Sequence, residues 1–255
     1  MKFGGASVST PEHFHKIADL IMQQMVSGDR IVSVVSAMGN STDELIALAK
    51  KVHPNPPQRE YDMLVTVGER ISIALLAMAL ARKGVEAVSF TGSQSGIITS
   101  NAHAEAKIVD VRPKRILENV GLGKIVIVAG FQGVSQNGEI TTLGRGGSDT
   151  TAVALGAALG ARVEFYKDVK GIYTHDPKLN PKAAFLPYLS YDKALQVVSD
   201  GDGILHSRCI ELAKKNNVPL LVRSFLEEGG GSVIQELHAE RPSMPCYEQQ
   251  LAAKL

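Results

Sequence analysis

Lys124-Ile125-Val126-Ile127-Val128-Ala129 is a run of β-branched and small apolar residues without polar alternation, closed by Gly130. A strand that is apolar at every position has both faces covered, which is the condition of an inner strand in a parallel sheet flanked by helices. Ile31-Val32-Ser33-Val34-Val35-Ser36 reads the same way. Outward from these two strands the pattern changes to helical spacing. Thr10-Pro11-Glu12 pairs an N-cap hydroxyl with a proline whose missing N–H costs nothing at the first helical position, and Phe14, Ile17, Ala18, Ile21, Met22 and Met25 then share one face. Thr42-Asp43-Glu44 opens a second helix, and a long helical segment over 58–83 follows Pro54, Pro56 and Pro57. Strands are expected over 86–91, 162–167 and 219–224, with helices over 150–161, 191–199 and 207–217 and a hairpin arm at Glu139-Ile140-Thr141-Thr142-Leu143. Strands alternating with helices predict an α/β protein with a mainly parallel sheet and crossover helices on both faces.

Composition narrows the function. Among 255 residues, 27 Lys and Arg face 26 Asp and Glu, so the net charge of +1 gives no electrostatic hold on nucleic acid or a membrane surface. At 44% hydrophobic and 21% charged the chain belongs with ordinary globular proteins, not disordered or fibrous ones. Trp is absent while Gly reaches 24, a balance that suits backbone-lined ligand loops better than an aromatic platform for single-stranded nucleic acid. The least polar stretch, 71–81, falls short of the roughly 18 to 20 residues that cross a bilayer. Met1-Lys2-Phe3-Gly4-Gly5 lacks the apolar region of a signal peptide, so the expected location is cytoplasmic. Cys209 and Cys246 make neither a disulfide framework nor a zinc site.

Two segments place glycines beside a cation: Lys2-Phe3-Gly4-Gly5-Ala6-Ser7, and Gly144-Arg145-Gly146-Gly147-Ser148-Asp149 ahead of a helix. Glycines let backbone N–H groups approach an anion closely, and a helix N-terminus adds a favourable dipole. No Gly-x-x-x-x-Gly-Lys-Ser/Thr occurs, and the second cluster lacks the last glycine of Gly-x-Gly-x-x-Gly, which removes the P-loop and dinucleotide readings. Alone, each segment is either an oxyanion cradle or a tight turn.

Further blocks join them in a fixed order: Val35-Ser36-Ala37-Met38-Gly39, Thr42-Asp43-Glu44-Leu45, Gly68-Glu69, Ala129-Gly130-Phe131-Gln132-Gly133, Asp168-Val169, Gly171-Ile172-Tyr173-Thr174, Asp176-Pro177 and Val222-Arg223-Ser224. The whole set, from residue 2 to about 235, resembles the aspartate kinases of the amino-acid kinase family. The resemblance implies a three-layer α/β/α sandwich with a mainly parallel central sheet. It implies one catalytic domain over 1–236, with a substrate lobe over about 1–135, a nucleotide lobe over about 136–236 and a polar tail over 237–255 that packs loosely. Only about twenty residues follow Ile234, too few for a regulatory ACT module of roughly 60 to 70 residues, so no ACT domain and no response to lysine or threonine are expected.

The implied reaction moves the γ-phosphoryl group of ATP, with Mg²⁺, to the side-chain carboxylate of L-aspartate, giving 4-phospho-L-aspartate for lysine, threonine and methionine biosynthesis. A carboxylate is already ionised at neutral pH and needs no general base. By resemblance Lys2 reaches the transferring phosphoryl group, Asp149 orients Lys2, and Arg145 grips the substrate α-carboxylate with two-point geometry. Glu69 pairs with the substrate ammonium, and Thr42, Phe131 and Ser148 complete its pocket. Gly4, Gly5, Ser7 and Ser36 line the phosphates, with Asp168, Tyr173 and Lys178 near the nucleotide. Lys167 stands where many relatives carry Thr, and supplies charge where Gly203 replaces a lysine of some relatives. No protein ligand set for the metal is expected, because Mg²⁺ rides on the ATP phosphates. His206 reads as a helix cap.

Two other readings remain open: an amino-acid kinase acting on N-acetylglutamate, glutamate or UMP, and a non-catalytic member of the fold that binds nucleotide or oxyanions. A weak two-fold homodimer is also expected, from the helix over 58–83. There Met63, Leu64, Val67, Ile71, Leu75 and Met78 form the stripe that packs on the sheet, while Ile73, Leu76 and Leu80 lie off it.

Overall fold

The computed structural model describes residues 1–175, 177, 179–180, 182–199, 204–227, 229–236 and 239–248. In chain order the elements are β1 (Lys2–Phe3), a 3-10 turn at Gly5–Val8, α1 (Pro11–Val26), β2 (Val32–Val35), α2 (Ser41–Val52), α3 (Gln58–Val65) and α4 (Val67–Arg82). There follow β3 (Ala87–Phe90), β4 (Ile97–Thr99), β5 (Ile108–Val111), α5 (Lys114–Gly121), β6 (Ile125–Ala129), β7 (Gln132–Ser135), β8 (Ile140–Thr142) and α6 (Gly147–Leu159). The last are β9 (Val163–Lys167), β10 (Tyr188–Leu189), α7 (Tyr191–Ser199), α8 (Ser207–Asn216), β11 (Leu220–Ser224) and β12 (Ser232–Ile234).

Among the described residues the main sheet has eight strands in the order β10-β12-β11-β9-β1-β2-β6-β3, and every pairing but β11 with β12 is parallel. The all-apolar run of β6 is explained by its two faces. Ile125, Ile127 and Ala129 join one core with Phe14, Ile17 and Ile21 of α1 and Ile73, Leu76 and Leu80 of α4. Val126 and Val128 join the other with Ile116 of α5, Val153 and Leu155 of α6, and Ile210 and Leu212 of α8. Helices therefore cover both faces, and the α/β/α sandwich is the observed architecture. Each buried aliphatic side chain contributes roughly 1.5 to 3 kcal/mol by leaving water.

A second sheet, β5-β4-β7-β8, was foreshadowed only by the hairpin arm at β8. Its strands are three or four residues long, too short for period-2 alternation to stand out. Gln132 pairs with Thr142 across β7 and β8, and this register sets the base of the glycine loop before α6.

Three expectations need correction. The segment over 58–83 divides at Thr66, whose carbonyl accepts from the Gln132 side chain at 3.0 Å. Its faces are also reversed. Ile73, Leu76, Ala79 and Leu80 are buried against the sheet, while Met63, Val67, Ile71 and Met78 are exposed. The bilayer argument from 71–81 also fails, since Gln58–Arg82 is 25 residues long and apolar enough to cross a membrane by length and composition. Half of its most apolar window is buried within the domain. The third concerns the tail, because Tyr247 and Glu248 are buried and Cys246 exchanges backbone hydrogen bonds with the Asn216 side chain. Thr10 and His206 both act as N-caps, accepting from the amides of His13 and Arg208.

Candidate active site

Parallel register builds the site. Phe3 lies opposite both Val35 and Tyr166, and Val35 opposite Ala129, so β9, β1, β2 and β6 end together at one edge of the sheet. The chain runs from β1 outward through β2 to β6 and returns to the other side of β1 as β9. Ligands of open α/β sheets bind outside the carboxyl ends of strands at such a reversal. Gly4, Ser36, Gly130 and Lys167 border this edge. The two loops leaving β1 and β2 are tied by Gly39 N–H donating to Gly5 O at 3.1 Å, and a Cβ on Gly5 would sit 3.1 Å from Gly39 O and 3.2 Å from Ala37 O. The glycine lets the two backbones approach closely, and a side chain there would press on both carbonyls.

Lys2 is not a solvated terminal lysine. Its side chain is 4% exposed, and its ammonium lies 2.5 Å from one oxygen of Asp149. The Lys167 ammonium lies 3.2 Å from the other oxygen. Asp149 comes from the first turn of α6, where the helix dipole also favours a negative charge. Burial would raise its pKa, yet Lys2 and Lys167 outweigh burial and hold the carboxyl below its ordinary range. Burial pulls the Lys2 pKa down, against the attraction of Asp149. One carboxylate thus holds two amino groups side by side at the end of β1 and β9, an arrangement suited to a polyanion.

Glu69, in the first turn of α4, faces the loop after β2. Its Oε1 accepts from Ala37 N–H at 3.1 Å, while Oε2 is buried and has no partner among the described residues. Burial pushes its pKa up to about 7, opposed by backbone hydrogen bonds and by Lys2. A half-satisfied buried carboxylate is poised for a cationic donor. Gly68 permits this approach, since a Cβ there would lie 2.7 Å from the Ala37 Cβ.

Arg145 is exposed on a loop whose flanking glycines, Gly144 and Gly146, have φ of 73° and 71°. Ser148 packs on Gly130, where a Cβ would come within 2.7 Å of the Ser148 Cβ. Phe131 holds φ of 68°, a conformation uncommon for an aromatic residue, with its N–H donating to Thr151 Oγ1 at 3.2 Å. Thr42 is half-buried at the start of α2.

The remaining candidates have other contacts. The Ser7 hydroxyl is buried and donates to the Tyr166 carbonyl at 3.1 Å, so it ties the 3-10 turn after β1 to β9. Tyr173 packs edge-on against Phe185 at 5.4 Å between ring centres. Asp168 is exposed just beyond β9. Lys178 and Gly203 are outside the described residues. Sequence reasoning missed Asp62, which is fully buried and accepts from Thr142 Oγ1 at 2.6 Å, His103 Nδ1 at 2.7 Å and Ala104 N–H at 3.1 Å. The available signal was its position seven residues before Glu69, on the helical face that also carries Val65, Ser72 and Leu76. It missed Arg208 as well, for which no local pattern spoke.

The model of the amino acid kinase family matches residues 1–224, and the chain belongs to that family. It is similar to the aspartokinase of Mycolicibacterium smegmatis, with 50% identity over 236 residues that cover 92% of this chain and 56% of that protein. Among solved structures it resembles the aspartate kinase from Synechocystis, with a TM-score of 0.84 and 44% identity over 96% of this chain and 40% of the other. It also resembles Escherichia coli aspartokinase III in complex with aspartate and ADP, with a TM-score of 0.82 and 25% identity over 92% of this chain and 63% of the other. The chain thus spans little more than half the length of such curated relatives.

Proposed function

We propose that the chain catalyses transfer of the γ-phosphoryl group of ATP to the side-chain carboxylate of L-aspartate, forming 4-phospho-L-aspartate and ADP. The observation that carries this reading is the buried Lys2-Asp149-Lys167 set at the carboxyl edge of β1 and β9. Relatives named aspartokinase at about 50% identity support it, as does the aspartate and ADP complex of the E. coli enzyme.

In this reading an aspartate side-chain oxygen attacks the γ-phosphorus, and the bond to the ADP oxygen breaks. Lys2 and Lys167 neutralise charge on the phosphoryl oxygens and leaving group, and Asp149 fixes Lys2 in place. Gly4, Gly5 and Ser36 offer backbone donors to the phosphates, and Asp168 and Tyr173 border the nucleotide. Arg145 takes the substrate α-carboxylate and Glu69, ionised, its ammonium, with Thr42, Phe131 and Ser148 around them. Mg²⁺ commonly keeps water and phosphate oxygens as ligands, and it would neutralise the ATP phosphates beside Asp149. The free thiols of Cys209 and Cys246 suit a reducing, cytoplasmic setting.

We further propose weak two-fold self-association through the exposed stripe of Met63, Val67, Ile71 and Met78.

An ADP-release assay across aspartate, glutamate, N-acetylglutamate and UMP, with hydroxylamine trapping of acyl phosphate, tests the activity. Trapped product with aspartate alone is expected. Turnover of another acceptor with none of aspartate, or no turnover at all, would overturn the reading.

A further inference from the structure

The Arg145 loop hangs from a buried ion pair that the proposed chemistry does not use. Arg208, in the first turn of α8, donates through Nη1 to the Leu143 carbonyl and through Nη2 to the Ala106 carbonyl at 2.8 Å. Leu143 is fully buried two residues before Arg145, and beyond it the chain turns through Gly144 and Gly146 at positive φ. The Leu143 carbonyl is therefore a last fixed point before the hinge. The N-cap of the same helix lies against the far side of the hinge, since a Cβ on Gly146 would lie 2.4 Å from the His206 side chain.

Glu248 fixes Arg208 in turn. It accepts from Arg208 Nε through one oxygen and from Nη2 at 2.8 Å through the other, and the second oxygen also accepts from Ile108 N–H at 2.7 Å. A two-point guanidinium–carboxylate contact sets the plane of the fork, and with it the aim of the donors that reach Leu143 and Ala106. On the opposite side the loop's base is held by Asp62, through Thr142 and Ala104.

We infer that Arg208 and Glu248 are positioning residues for Arg145, so that residues 239–248 form part of the device that presents Arg145 to the substrate carboxylate. The assignment rests on the reading of Arg145 as the group that grips aspartate. A guanidinium on a two-glycine hinge binds well only if its base is already ordered, because ordering it on binding would cost affinity.

The test uses the full chain and its Glu248→Gln and Arg208→Lys variants. Glu248→Gln keeps shape but loses charge; Arg208→Lys keeps charge but loses the fork. In both, amide hydrogen exchange over 143–148 is expected to accelerate, and KM for aspartate to rise roughly tenfold, the order of one charge-assisted hydrogen bond. KM for ATP and kcat should stay within about twofold, a split that general loosening of the fold would not give. Unchanged exchange over 143–148 in either folded variant would overturn the inference, as would a parallel rise in both KM values with a lower melting temperature. If the wild type turns over no aspartate, the functional reading falls, and the exchange comparison still decides whether the pair holds the loop.

Discussion

The Lys2 ammonium lies 2.5 Å from the Asp149 carboxylate although 146 residues separate them, and both groups are almost wholly shielded from water. A buried pair of this kind is weak evidence for stability but strong evidence for fixed geometry. Lys2→Ala should lower kcat by about 10² to 10³-fold with a smaller change in KM for aspartate, because its contact with phosphoryl charge strengthens as the bond breaks. Steady-state kinetics decide this, and equal turnover would remove Lys2 from catalysis.

Asp149→Asn leaves two ammonium groups facing each other without their shared counter-charge. Removing one member of a buried pair costs about 3 to 5 kcal/mol, so a clear drop in melting temperature is expected. Double substitution with Lys167→Met should recover part of it, which thermal melts of the four-protein cycle would show.

Glu69 carries the pH dependence. Its folded pKa, near 7, stands above its ordinary value of 4.5, so the folded state holds a proton that the unfolded chain has released. Stability from the neutral carboxyl is full below the unfolded value and declines as pH rises toward 7, levelling off above it. Melts of wild type and Glu69→Gln between pH 5 and 8 should converge at the acid end and diverge toward pH 7. Aspartate affinity should run the other way, improving from pH 6 to 8 as Glu69 ionises to meet the substrate ammonium. A flat difference in melting temperature would refute the assignment.

Arg145→Lys should not restore what Arg145→Ala loses, since an ammonium cannot make the two-point contact. A rise in KM for aspartate of at least roughly tenfold is expected in both, with KM for ATP little changed. Full activity of the lysine variant would point to simple charge attraction instead.

For self-association, Ile71→Glu places a charge in the exposed stripe and should abolish any dimer without altering the fold. Sedimentation velocity of wild type at micromolar and higher concentrations should show a concentration-dependent rise toward dimer. A monomer-sized species throughout would refute it.

The sheet was legible because β2 and β6 are apolar on both faces, which few other environments allow. Orientation of α4 was not. It is apolar nearly all round, so periodicity does not say which stripe meets the sheet, and Val67, Ile71 and Met78, with Met63 of α3, lie on the exposed face instead of the expected buried one. In the site, Lys2, Arg145 and Asp149 stood out through glycine neighbours that serve close backbone approach. Asp62, Arg208 and Glu248 act on partners 40 to 140 residues away in the chain. No local pattern marks such a contact, because the partners are remote in sequence and several are backbone groups that every residue shares. Ser7 is the converse, since a hydroxyl in a glycine loop looks free from the sequence, whereas it donates to the Tyr166 carbonyl of β9.

The seat of β1 between β2 and β9 has a consequence during synthesis. A nascent chain can lay β1, β2, β6 and β3 together as a partial sheet as soon as β6 has emerged. Until β9 follows, the outer side of β1 is an open edge, with Lys2 still lacking both Asp149 and its second cation nearby. At roughly 5 to 20 residues per second, β9 trails β6 by about 2 to 8 seconds. Throughout that interval an unpaired strand next to the future phosphate corner is exposed to other chains, and chaperone protection would matter most there.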